Sequence, residues 1–249
     1  FGTDKNSVTV TFEGISVPVA VKEITTTAIT VTVPQGFNGG KVTMVFEGIT
    51  QPVESDILQP LPADGDISQY VLMNYKQPFD YVKEGGDNGF HKKGEWAKAA
   101  YWIVQNSNLT AGEGGAAVDL AFKTKYGDGS DAGLALQTDW GFDNPKNDGK
   151  VYQTSHLQKG KYKLTAHVYE YDRRGFTGYV AVCKGNEMAN TSDIPSKSLA
   201  NASISGTGDV VVDISVEEPT DVVIGFVCTI TVKQGRAKID NFKLELVEQ

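Results

Sequence analysis

The sequence predicts an all-β chain of two sandwiches in tandem, the second much the larger. Three observations lead there. Apolar residues fall on alternate positions through most of the chain, which is the two-residue period of half-buried strands. The runs are broken by Gly, Pro, Asn and Asp, the residues that turns require. Residues 51–66 carry Pro52, Pro60 and Pro62 and end in Asp64-Gly65-Asp66, a proline-stiffened stretch with little apolar material to bury. The first sandwich is accordingly assigned to residues 1–57, the link to 58–66 and the second sandwich to 67–249.

In the first sandwich four runs alternate: Val8, Val10, Phe12; Val17, Val19, Val21; Ile29, Val31, Val33; and Val42, Met44, Phe46. Threonines fill many outward positions, and breaks fall at Glu13-Gly14, residues 34–40 and Glu47-Gly48. No helical period competes with this pattern. Beyond the link the runs resume at Val118–Phe122, Leu134–Leu136, Tyr162–Val168, Val210–Val216, Val222–Ile230 and Phe242–Leu246. That is sandwich spacing without alternating helices. The Ala-rich piece Gly94–Gln105 is expected to form a helical turn or two.

Composition limits the partners. The chain has 249 residues, enough to bury two cores, and 23 Lys and Arg against 31 Asp and Glu give a net charge of −8. There is no basic footprint for a phosphate backbone, so nucleic acid is not an expected partner. Two cysteines, Cys183 and Cys228, make neither a disulfide framework nor a zinc site. They are either buried thiols acting as small apolar residues or a pair within disulfide reach. No apolar run reaches the length of a membrane span. Phe1-Gly2-Thr3-Asp4 reads as a loop entering a strand, and the first residues do not form the charged, apolar and small-residue order of a signal sequence.

The segments Phe1-Gly2-Thr3, Val8-Thr9-Val10, Phe12-Glu13-Gly14, Ala28–Pro34 and Gly40–Thr43 resemble an IPT/TIG domain, an immunoglobulin-like fold. Such domains open with a strand ahead of the Phe-Gly pair, which this sequence lacks. In the second sandwich, Val151–Thr154, Leu157 and Gly160–Ala166 resemble a hairpin of galactose-binding-like jelly rolls. Ala237–Leu244 is similar to their closing strand. With Trp140-Gly141, the pattern is similar to a domain of unknown function found in Bacteroidetes-type surface lipoproteins. The resemblance implies an immunoglobulin-like sandwich followed by a galactose-binding-like jelly roll. It also implies an exported location at the cell surface or in the periplasm, anchored at the outer membrane.

Catalytic signatures are sparse. His91, His156 and His167 are too scattered for a zinc motif, and neither a Gly-x-Ser-x-Gly elbow nor a phosphate loop occurs. Gly112–Ala117 fits a loose dinucleotide fingerprint but precedes a strand instead of following one, so it reads as a hairpin loop. Asp139, Asp143, Asp148 and Glu217-Glu218 sit in turn-rich stretches where carboxylates cap turns and face water. The chain is not expected to be an enzyme and requires no cofactor.

Binding chemistry has firmer support. A glycan site needs flat aromatic rings for sugar C–H faces beside polar partners for hydroxyls. Trp140 and Asp143 share one loop; Tyr169, Tyr171 and Arg173 lie at a strand end and in the turn after it. If Tyr162, Leu164, Ala166 and Val168 face the core, then Thr165, His167, Tyr169 and Tyr171 share the opposite face and make an aromatic shelf. The competing role for these rings is packing beneath a loop such as Lys184–Asp209; for Trp96 and Trp102 packing is the expected role. Asp240 has the parity of Phe242, Leu244 and Leu246, so its carboxylate is expected at the core's edge and in need of a partner. Related jelly rolls imply a structural calcium there, and Lys, Arg or backbone donors would serve equally. The expected function is therefore glycan or surface-polysaccharide binding through Trp140, Tyr169, Tyr171, Arg173 and Asp143. The alternative is a structural or adhesion module that docks other surface proteins without a small-molecule site.

Overall fold

A computed structural model describes residues 3–34, 37, 39–58, 62, 64–82, 96–105, 118–123, 133–138, 146–232 and 235–248. The chain divides into two compact units, Phe1–Leu61 and Pro62–Gln249. It is all-β apart from short helical turns.

The first unit contains β1 (Val8–Phe12), β2 (Val21–Ile24), β3 (Ile29–Val31), β4 (Val42–Phe46) and β5 (Val53–Glu54). One sheet has the order β1-β4-β5, the other is the β2-β3 hairpin, and Val10 bridges to Val19. Alternation puts Val8, Val10 and Phe12 of β1 inward, where Phe12 meets the edge of Phe37 at 4.9 Å and 77°. The second run is displaced from its expected place: the strand begins at Val21, and Val17 is 67% exposed. Pro18 explains the shift, since it has no N–H to donate to a ladder.

The second unit begins with β6 (Gly65–Asp66), α1 (Ser68–Val71), β7 (Tyr81–Val82), β8 (Trp96–Ala99) and β9 (Ile103–Gln105). It continues through β10 (Val118–Lys123), β11 (Gly133–Thr138), β12 (Lys146–Leu157), β13 (Gly160–Asp172) and β14 (Phe176–Lys184). It ends with α2 (Ile194–Lys197), β15 (Ala200–Ser203), β16 (Gly208–Val216), β17 (Thr220–Ile230) and β18 (Arg236–Glu248). An eight-stranded sheet runs β16-β13-β18-β11-β10-β8-β7, with β6 also on β18; a five-stranded sheet runs β15-β14-β17-β12-β9. Connections from β11 onward cross between the sheets except at β14 to β15, the winding of a jelly-roll sandwich.

The core fills the space between the sheets. Alternate residues of β13, β16, β17 and β18 enter it, including Leu164, Val212, Phe226 and Phe242. Each such side chain contributes about 1.5–3 kcal/mol by leaving water. Residues 96–105, the described part of that piece, are not helical: β8 and β9 flank a turn in which Tyr101 takes φ 67°, and β8 pairs with β10 and β7. Strand pairing supplied by distant sequence overrides the alanines' local preference. Trp102 is a core residue: its Nε1 donates to the Asn74 carbonyl at 2.9 Å, and its ring lies 5.2 Å from Phe242.

The five-stranded sheet is covered on its outer face as well. Met188 and Ile194, from the segment between β14 and β15, pack on Tyr152, Ala181, Cys183, Val223 and Val227. That segment covers this sheet and not the face carrying Tyr169. Cys183 belongs to the outer cluster and Cys228 to the core between the sheets, so both are free thiols on opposite faces of one sheet. Burial pushes both thiols up from their ordinary value.

Candidate functional site

The site is shaped by two bulges where β13 meets β18. Pairing runs from His167 opposite Asn241 to Val168 opposite Ile239, which leaves Asp240 as an extra residue on β18. It then runs from Val168 opposite Ile239 to Glu170 opposite Lys238, which leaves Tyr169 as an extra residue on β13. Each bulge reverses the parity of everything beyond it.

Two expectations are corrected as a result. Asp240 does not point toward the core although Phe242, Leu244 and Leu246 do; its carboxylate turns outward and meets His167 Nδ1 at 2.8 Å. Tyr171 does not share a face with Tyr169 and His167. It packs against the core, edge-on to Phe176 at 5.5 Å and 83°. Burial pushes its phenol up, opposed by the nearby charge of Arg173. The aromatic shelf of two tyrosines is therefore a single ring. The Asp240 carboxylate has a histidine partner, and among the described residues no three His, Cys, Asp or Glu side chains gather to hold a metal.

Tyr169 stays on the outer face and is half-buried. Its ring reaches across β18 and sets its Cε1–Cζ–Oη edge against Gly133 of β11, so closely that a Cβ at residue 133 would fall within the ring's van der Waals envelope. Glycine is required there because any side chain would lift the ring.

Around this ring the outer face is polar and paired. Glu170 forms ion pairs with Lys238 and with Arg236, the latter at 2.5 Å. Arg236 Nε is off the direction that a hydrogen bond needs, so its contact with Glu170 is one of charge. Lys238 is 8% exposed. Arg174 binds Asp172 through two guanidinium nitrogens, the shorter contact being 2.6 Å, and holds that carboxyl down at about 2. Arg173 is exposed in the β13–β14 turn, without an ion-pair partner among the described residues.

These groups gather toward one end of the sandwich. Asp172 pairs with Arg236, which pairs with Gln137; Phe176 and Lys146 both pair with Ile230. Thr138 and Lys146, the residues that flank 139–145, therefore both sit at the end that carries Arg173. Trp140 and Asp143 themselves lie outside the described residues. Reading from sequence missed the Glu170, Arg236 and Lys238 cluster and the ring's seat on Gly133. An alternation of charges on either side of Tyr171 was the available signal, hidden by the parity reversal.

Chemically the arrangement offers one aromatic ring held at its hydroxyl-bearing edge, flanked by carboxylates and cations in ion pairs. Asp240, Glu170 and Asp172 each face a basic partner.

Comparison with known proteins follows this geometry. No curated protein matches the chain. Among solved structures it is similar to TmCBM61 in complex with β-1,4-galactotriose, at 15% identity and TM-score 0.34, over 66% of this chain and 97% of that one. It is also similar to the adhesin domain of Epf from Streptococcus pyogenes, at 12% identity and TM-score 0.41, over 74% of this chain and 64% of that one. At such scores neither transfers a residue or a role. A family model matches residues 73–225, and the chain belongs to the family described as Domain of unknown function (DUF5013).

Proposed function

We propose that this chain is a non-catalytic cell-surface protein whose larger unit binds a glycan, with Tyr169 as the stacking ring. The observation that carries the reading is the seat of Tyr169 on Gly133, beside the His167–Asp240 pair and the Glu170 cluster. A ring anchored by its hydroxyl-bearing edge against the sheet can offer a face to the C–H face of a sugar, and the flanking groups can meet hydroxyls. Arg173, Trp140 and Asp143 extend the proposed site. Tyr171 contributes only by packing.

Binding is favoured over hydrolysis because a glycosidase needs one carboxyl held protonated. At this site Arg174 shifts Asp172 the opposite way, and Glu170 sits between two cations. Single shallow sites of this type bind at about millimolar strength, near −4 kcal/mol, and gain from repetition at a surface.

The smaller unit is proposed to be an IPT/TIG immunoglobulin-like spacer, within an exported surface lipoprotein. No helix among the described residues is long and apolar enough to cross a membrane. The test is a glycan-array screen of the chain beside Tyr169→Ala, with and without calcium. Binding that the variant loses supports the reading; a folded chain that binds no glycan favours the protein-docking alternative.

A further inference from the structure

A second polar cluster lies on the outer face of the five-stranded sheet. Lys150 of β12 is 8% exposed, and its Nζ donates to the side-chain oxygen of Asn190 at 2.7 Å. Asp148, two residues earlier, accepts from the backbone N–H of Thr191 at 2.7 Å, so its carboxylate adjoins the Asn190–Thr191 peptide. The Thr191 hydroxyl is buried, with no hydrogen-bond partner in the structure. An amine and a primary amide thus meet beneath the segment that covers this face, and a carboxylate binds the N–H of the next residue.

The backbones carrying them are fixed. Lys150 lies mid-sheet, opposite Gln105 on one side and Val227 on the other. The Asn190 carbonyl accepts from the amides of Asp193 and Ile194 at 2.8 and 3.1 Å. Met188 and Ile194, on either side of Asn190, are buried in the outer cluster. A hydrogen bond of this length leaves the amine nitrogen close to the amide carbon, near the about 3–3.5 Å of an attack-ready pair.

We propose that Lys150 and Asn190 become joined by an intramolecular isopeptide bond, with Asp148 carrying the protons. The Lys150 ammonium passes one proton to the Asp148 carboxylate, and the freed lone pair of Nζ forms a bond to Asn190 Cγ. Protonated Asp148, and the Thr191 hydroxyl, donate to the amide oxygen as charge develops on it. The Cγ–Nδ2 bond then breaks. The departing nitrogen takes one proton from Nζ and one from Asp148, which returns to carboxylate, and leaves as ammonium. Nothing is oxidised or reduced and no co-reactant is needed. Asn190 is exposed, so the ammonium has a direct way out. The product ties the covering segment to the middle of the sheet.

Intact-mass measurement of the full chain decides the matter. The expected result is a mass about 17 Da below that of the sequence, one ammonia lost. A tryptic digest should then contain a branched peptide joining residues 147–159 to 185–197, and Lys150→Arg and Asp148→Ala should each restore the full mass. A wild-type mass equal to that of the sequence overturns the proposal. So does a loss of the same size that persists in Lys150→Arg and maps to a linear 185–197 peptide, since that is Asn190 closing on its own backbone.

Discussion

Tyr169 and Tyr171 stand two residues apart in one strand, yet one lies on the outer face and the other against the core. Their substitution should therefore fail in different ways. Tyr169→Ala is expected to weaken glycan binding about tenfold, equivalent to about 1.4 kcal/mol, with little change in the unfolding midpoint. Tyr171→Ala removes a ring packed on Phe176 and is expected to destabilise the fold by about 2 kcal/mol in urea titration. Asp172 adds a pH dependence. Its carboxyl is lowered from 3.8 to about 2 by Arg174, so the pair stabilises the fold above pH 4 and that contribution disappears as pH falls from about 4 to 2. The effect is small because Arg174 is solvent-exposed. Asp172→Asn should lose that part of the acid-unfolding curve, read from urea midpoints at pH 5, 3 and 2.

At the scale of strands, the bulges decide what the alternating pattern means. Most of the large sandwich was legible because the core-facing side of each strand is apolar: the runs in β13 up to Val168, in β16 and in β18 from Phe242 onward alternate in burial, and β17, buried on both faces, still sends every second residue from Val222 to Ile230 into the core between the sheets. The extra residues at Asp240 and Tyr169 were not legible. A bulge adds one residue without changing composition, and its position is set by the partner strand. That is why Asp240 and Tyr171 were assigned to the wrong faces while Tyr169 was not. Glycines at close approaches give the element-scale test. Gly133→Ala should push the Tyr169 ring off its seat and reduce glycan binding as Tyr169→Ala does, with the fold retained. Gly225→Ala, where a Cβ would meet the Val151 carbonyl and the Tyr152 backbone in the central pair of strands, should cost about 3 kcal/mol of stability. Circular dichroism with urea titration separates the two.

For the whole molecule, the two compact units bear unequal shares of the proposed function. The proposed site is drawn from β11, β13 and β18 and the turns at one end of the larger unit. The polar strip, with Arg174, Arg236 and Lys238 matched by carboxylates, fits the absence of a basic footprint in a chain of net charge −8. A neutral or hydroxyl-rich ligand suits such a surface better than a polyanion. The most direct test is a glycan-array screen of the folded full-length chain alongside Tyr169→Ala. Recognition of one or more glycans by the chain, reduced about tenfold in the variant, is the predicted result. No recognition by folded protein, or recognition that Tyr169→Ala leaves unchanged, would contradict a glycan site built on that ring.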